Sequence, residues 1–188
     1  MKKPLILVTN DDGISAPGLR NLIHVMNSIG NVIVVAPDSP QSGMGHAITI
    51  NNTIRCRKVT IDDGLQKEYA CSGTPADCVK MGVHEILKCK PDLCVSGINH
   101  GSNSSINIIY SGTMSAAVEA GIEGIPAIGF STTANGGGTV DLCIAGHSVY
   151  GDINKPGFVR IGNSGLGNMS PYYKILESAD NYGCLLYT

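Results

Sequence analysis

Two carboxylates stand side by side at Asp11 and Asp12, directly after a run of four apolar residues, Leu5 to Val8. Adjacent anions repel, and placing them beside a core is costly unless a positive charge compensates them. Successive strand residues point to opposite faces, so both acids reach one ion only if the chain turns there. Gly13 permits such a turn. Hard divalent cations such as Mg²⁺ and Mn²⁺ prefer oxygen ligands and retain waters. The Ser42 hydroxyl and the Asn99 amide oxygen are candidates to complete a set begun by Asp11 and Asp12. The competing reading of "NDDG" is a solvated turn, because Asn, Asp and Gly are common turn residues.

Ser111-Gly112-Thr113 offers hydroxyls and backbone N–H groups where a helix begins, which suits a phosphate. An ordinary helix N-cap would use the same residues. Ser102 and Asn103, in "NHGSN", could add polar contacts or simply form a loop. His46 follows the glycine-rich "SGMG". Near a phosphate it could donate a proton to a leaving group or stabilise charge; otherwise it caps the next strand. His24, His84, His100 and His147 lack a ligand spacing such as His-x-x-x-His and receive no role. Gly-x-Gly-x-x-Gly, the Walker Gly-Lys-Ser/Thr and the Gly-x-Ser-x-Gly elbow are absent, which argues against dinucleotide oxidoreductases, P-loop ATPases and serine hydrolases.

The elements that must position these residues follow from periodicity. Strands are expected at 5–10, 31–37, 91–99 and 126–131, all short apolar runs. Between them, helices are expected from Pro17 to Ser28, over 74–87 and over 111–124. Leu19, Leu22, Ile23 and Met26 recur at helical spacing, and Thr74, Pro75 and Asp77 make a helix start. Strands alternating with helices predict a mainly parallel sheet covered on both faces. The near-alternation of "HAITINNTIRCRKVTI" (46–61) suggests an antiparallel excursion or hairpin. Ligands of open α/β sheets collect beyond the carboxyl ends of the strands. The polar loops "NDDG", "PDSPQSG", "SGINHGSN" and "YSGT" would gather at that rim. From about Thr132 the pattern dissolves into turn-rich sequence. "TVDLCIAG" and "GFVRIGN" could be short strands, and no final helix or internal repeat is apparent.

At 188 residues the chain suits one domain with a substantial core. A net charge of −2 gives no reason to expect duplex nucleic acid or an anionic membrane as partner. The apolar run after Lys2 and Lys3 is too short for an export signal, and no run is long enough to span a bilayer. The expectation is a soluble, intracellular protein. Seven cysteines, an odd number without a Cys-x-x-Cys pair, point to reduced, non-catalytic thiols.

Taken in order, "ILVTNDDGISAPGL", "VVAPDSPQSGMGHAIT", "CSGTPADCVKMG", "PDLCVSGINHGSN" and "YSGTMSAAVEAGIEGIPAIGFS" resemble the SurE family of metal-dependent nucleotidases over roughly residues 4–133. The resemblance implies a three-layer Rossmann-like α/β domain with a mainly parallel sheet. It also implies a cytoplasmic phosphomonoesterase acting on nucleoside 5′- or 3′-monophosphates, with some members acting on short polyphosphate. One divalent ion, Mg²⁺ or Mn²⁺, would be held by Asp11, Asp12, Ser42 and Asn99. Asn10, Asn103, Ser111, Gly112 and Thr113 would lie around the phosphate. Asp11 would orient or deprotonate the attacking water, and His46 matches the "GHAIT" form of many members. The family also implies a homo-oligomer, a dimer or tetramer. Residues 134–188 depart from it: the further sheet, the projecting hairpin and the C-terminal arm used in dimer exchange are not recognisable there. The chain therefore divides into a core of 1–133 and an atypical Gly/Asn-rich segment, 134–188, of the same domain. Two competing readings are a non-catalytic nucleotide- or metal-binding module with an incomplete site, and a different metal hydrolase such as a deacetylase with paired aspartates. The latter would be expected to set a histidine beside the acids, where Asn10 stands.

Overall fold

A computed structural model of the chain describes residues 2–101, 103 and 107–132 in full, and the backbone of 105–106, 140–145 and 158–161. The apolar runs form strands β1 (Leu5–Thr9), β2 (Asn31–Pro37), β5 (Leu93–His100) and β6 (Ala127–Thr132). Two strands lie on the excursion between β2 and the next helix, β3 (Cys56–Val59) and β4 (Lys67–Cys71). After β6 come β7 (Val140–Ala145) and β8 (Phe158–Ile161), where the sequence suggested two short strands. All eight form one sheet in the order β3-β4-β2-β1-β5-β6-β7-β8. The central run from β4 to β6 is parallel; β3, β7 and β8 join antiparallel. The rest of the segment 134–188, including the expected lack of a final helix, lies outside the described residues, as does Ser102.

Alternation along β1 assigns the two faces. Ile6 and Val8 point to helix α1 (Pro17–Ile29) and pack with Leu19, Leu22 and Ile23. Leu7 points to the other side, against α2 (Pro75–Met81) and α3 (Gly112–Ile122), where Val79, Met114 and Ala117 meet it. Each fully buried aliphatic chain on these faces contributes about 1.5–3 kcal/mol of transfer free energy. The result is the expected three layers. α1 is amphipathic, with one apolar stripe. α3 is buried nearly all round, and its Gly and Ala residues let it lie close to the sheet.

α2 starts on a reciprocal cap: Thr74 Oγ1 accepts the Asp77 N–H, and the Asp77 carboxylate accepts the Thr74 N–H. The helix expected over 74–87 changes character at Gly82 and continues to Leu87 as a π-helical turn. A Cβ on Gly82 would stand 3.0 Å from the Leu7 side chain, so a larger residue would push this turn off the sheet.

The cysteine expectation requires correction. Cys56 and Cys71 face each other in the antiparallel β3–β4 register, with Cα atoms 4.1 Å apart, and form a disulfide. Counting cysteines along the chain cannot reveal a pair that strand register creates. Cys78 and Cys94 are free and buried, and burial pushes the Cys94 thiol up to about 12. Among the described residues, no helix is long and apolar enough to cross a membrane.

Candidate metal and phosphate site

The polar loops meet at the carboxyl ends of β1 and β5. β1 continues through α1 to β2 on one side and pairs with β5 on the other, so this is the point where the chain's path over the sheet reverses. Asn10 closes the turn that follows β1: its Nδ2 donates to Gly13 O at 3.0 Å, and Gly13 takes a φ of +97°. The turn is then fixed to β2 by the Ile14 N–H, which donates to Pro37 O at 2.8 Å.

Asp11 is buried, and Thr113 Oγ1 donates to its Oδ1 at 2.5 Å. A Cβ on Gly112 would come within 2.5 Å of the Asp11 Cβ, so only glycine lets the start of α3 settle on this carboxylate. Burial raises the Asp11 carboxyl above its usual value; the Thr113 hydrogen bond opposes this and the charge of Asp12 adds to it. Asp12 is half-buried and is also raised, chiefly by burial, against the lowering effect of the His100 backbone N–H and the His100 charge. Two neighbouring carboxyls that both resist ionisation make a place where a cation is favoured.

The second loop is drawn in by the backbone. Gln41 N–H donates to Asp11 O at 2.7 Å, which brings Ser42, itself exposed, to the edge of the acidic pair. On β5, Asn99 Nδ2 donates to Gly101 O at 3.0 Å and points at Asn103 Oδ1, 3.4 Å away. Asn103 is buried and donates from Nδ2 to Ser131 Oγ on β6 at 2.5 Å.

Ser111 caps α3, accepting the Met114 N–H at 3.1 Å, so the N-cap reading of this segment is realised. It does not exclude the other reading. The Gly112 and Thr113 N–H groups have no partner within the helix, and that of Thr113 is directed toward the Asp11 carboxylate.

His46 takes a different position. Its Nε2 lies 2.7 Å from Oε2 of Glu119, a buried carboxylate on α3. Glu119 stands seven residues beyond Gly112, about 10 Å along the helix at 1.5 Å per residue. The structure therefore groups Asn10, Asp11, Asp12, Asn99, Asn103, Ser111, Gly112 and Thr113, with Ser42 on the adjoining loop, and ties the His46 imidazole to Glu119.

The donor set fits a hard dication. Among the described residues no group of three or more His, Cys, Asp or Glu side chains could hold a metal. An ion here would depend on two carboxylates supplemented by neutral oxygens, the preference of Mg²⁺ and Mn²⁺. Asn10 Oδ1 is buried without a hydrogen-bond partner, as are Thr9 Oγ1 and Ser96 Oγ, which face each other in the β1–β5 register. Orphaned acceptors at the foot of an acidic pair are places where bound water or a ligand belongs. Sequence reasoning did not single out Thr9, Ser96, Ser131 or Glu119. All four derive their place from neighbours distant in the chain: Thr9 and Ser96 by strand register, Ser131 and Glu119 by hydrogen bonds to Asn103 and His46.

Fold and side chains together define an open-sheet α/β protein with a cluster of carboxylate, amide and hydroxyl groups at its topological switch point. The family model for survival protein SurE matches residues 6–150, and the chain belongs to the SurE family. Over 131 residues it is 76% identical to a 5′-nucleotidase SurE of Flavobacterium psychrophilum, covering 70% of this chain and 51% of that protein. Over 131 residues it is 78% identical to that of Christiangramia forsetii, covering 69% of this chain and 50% of that protein. The solved structure of the SurE protein from Aquifex aeolicus matches with a TM-score of 0.61 at 46% identity, over 68% of this chain and 50% of that one. The chain spans about half the length of the curated relatives it matches.

Proposed function

We propose that this chain carries the site of a metal-dependent phosphomonoesterase that hydrolyses nucleoside 5′-monophosphates. The single observation behind the reading is the seating of α3 on Asp11 through Gly112 and Thr113, beside Asp12. The names of the relatives, 5′-nucleotidase SurE, supply the substrate class. The same chemistry extends to 3′-monophosphates and short polyphosphate, and a homo-oligomer in the cytoplasm is the state we expect. The core of 1–133 accounts for the site, since every candidate residue lies within it.

Asp11, Asp12, Ser42 and Asn99 would hold one Mg²⁺ or Mn²⁺. When bound, that ion supplies Lewis-acid polarisation of the phosphoryl group and neutralises its charge. The Gly112 N–H at the start of α3 would bind a phosphate oxygen, favoured by the helix dipole, with Ser111 and Thr113 beside it. Asn10 and Asn103, buried and amide-bearing, fix the phosphate's orientation at the floor. Thr113 Oγ1 holds Asp11 in one rotamer, so that a carboxylate oxygen can accept a proton from the attacking water. Release of phosphate from AMP or GMP by the purified protein, with and without Mn²⁺ or Mg²⁺, tests the reading. Asp11→Asn is expected to abolish release. Full activity in that variant would remove the assignment, and metal-dependent binding of AMP without turnover would make the chain a binding module instead.

A further inference from the structure

The loop that carries Ser42 is held by three sets of contacts. At its start, Gln41 N–H bonds Asp11 O at 2.7 Å. In its middle, Gly45 N–H bonds Tyr110 O at 3.1 Å. Beyond that, Thr49 binds the Asp77 carboxylate through its N–H and through Oγ1, the latter at 2.6 Å, and Thr74 Oγ1 donates to Ala47 O at 2.7 Å. Between these, Gly43 and Gly45 take φ values of +75° and +56°, so the backbone around Ser42 bends at two glycines. A Cβ on Gly45 would lie 2.8 Å from Ile109 O, which shows how closely the loop lies on the segment leading into α3.

The only side chain between Ser42 and Ala47 that reaches α3 in the described contacts is His46. Its partner, Glu119, is buried, and both carboxylate oxygens are engaged: Oε2 by His46 at 2.7 Å and Oε1 by Lys80 Nζ at 2.6 Å. Lys80 also faces Glu123 at 3.4 Å, and His84 faces Glu123 at 3.1 Å, so Lys80 joins the two carboxylates along the α2–α3 seam. Burial would raise the Glu119 carboxyl, but hydrogen bonds from His46 and Lys80, with their charges, hold it below its usual value. An imidazole whose Nε2 is committed to the Glu119 carboxylate does not have that nitrogen free to protonate a leaving group.

We propose that His46, Glu119 and Lys80 form a latch that pins the 41–46 loop to α3 and so sets the position of Ser42 beside the acidic pair. In this assignment His46, Glu119 and Lys80 are positioning residues, and the imidazole serves as a hydrogen-bond donor to Glu119. The role of Ser42 rests on the function proposed above; the latch itself does not, because the anchoring of the loop can be measured without metal or substrate.

The test compares the full chain with its His46→Ala, His46→Gln and Glu119→Gln variants. Three readouts are taken: limited proteolysis of the loop in metal-free protein, Mn²⁺ affinity by calorimetry, and kcat and KM for AMP with their pH profiles. His46→Ala should speed cleavage within 41–46 at least fivefold and weaken Mn²⁺ binding about tenfold. His46→Gln keeps an N–H donor for Glu119 and should recover most of both, with an unaltered shape of the kcat–pH profile. Glu119→Gln retains an acceptor and should fall between them. The latch is refuted if His46→Ala leaves proteolysis and Mn²⁺ affinity as in the parent. It is equally refuted if His46→Gln loses kcat as severely as His46→Ala together with one limb of the pH profile, which is the signature of a proton donor. Should the parent chain release no phosphate, the nucleotidase reading fails, and the proteolysis comparison still decides the latch.

Discussion

Replacing Asp12 with Asn separates the charge of the acidic pair from its shape. The amide is isosteric and retains an oxygen to accept the His100 backbone N–H. In the metal-free protein both Asp11 and Asp12 are raised above 3.8. A folded-state pKa above the unfolded one means that stability falls as pH rises from the unfolded value through the folded one, and that the full cost is carried at neutral pH. Removing one charge removes part of that cost, so metal-free Asp12→Asn should melt at or above the parent temperature at pH 7. The metal reverses the order. A cation bound at a hundred times its dissociation constant stabilises by about 2.7 kcal/mol. At about 2–4 °C per kcal/mol for a chain of this size, that is about 5–10 °C. If losing one carboxylate weakens binding a hundredfold, the same concentration gives RT ln 2, about 0.4 kcal/mol, and a shift of about 1 °C. Differential scanning calorimetry in EDTA and in Mn²⁺ measures all four states. In the parent, the Mn²⁺ increment should grow as pH rises above 3.8, because only ionised carboxylates bind the ion. The reasoning is refuted if the variant melts well below the parent in EDTA yet keeps the whole Mn²⁺ increment.

Thr113→Val removes the hydroxyl that donates to Asp11, a charge-assisted bond worth about 1.5–3 kcal/mol, and lets the Asp11 carboxyl rise further. Urea unfolding should show the loss, and calorimetric Mn²⁺ binding should shift to higher pH. Gly112→Ala drives a Cβ against Asp11, so about 1–3 kcal/mol of stability should be lost along with most AMP turnover, read by melting and phosphate release. Glu68→Leu removes the 2.9 Å carboxylate partner of Arg20 and leaves it only Asp62 at 3.3 Å, so the urea midpoint should fall by the equivalent of about 1.5–3 kcal/mol. Because the Glu119 carboxyl is lowered in the fold, its contribution is present above 4.5 and is lost as pH falls through the folded value. Melting temperatures of Glu119→Gln should accordingly be flatter than the parent's on the acid side.

What the sequence makes legible here is whatever depends on neighbours along the chain. β1, β2, β5 and β6 are apolar because both sheet faces are covered, and α1 shows its stripe because only one side of it is buried. The candidate residues were legible for a related reason: a turn bearing two acids, a glycine-rich loop and a helix start each carry their own local signature. Contacts between distant residues were hidden. β4, "KEYAC", does not look like an interior strand, because the burial of Glu68 is compensated chiefly by Arg20, 48 residues earlier, with Gln66 also donating to it. The Cys56–Cys71 bridge follows from an antiparallel register that neither residue announces. His46 shows the same limit in its functional form. Its place after "SGMG" suggests phosphate chemistry, but its partner lies 73 residues away on the flank of α3. A buried carboxylate must find donors for both of its oxygens, and Glu119 draws His46 for that reason. The requirement comes from Glu119, and no inspection of residues 41–50 alone could have revealed it.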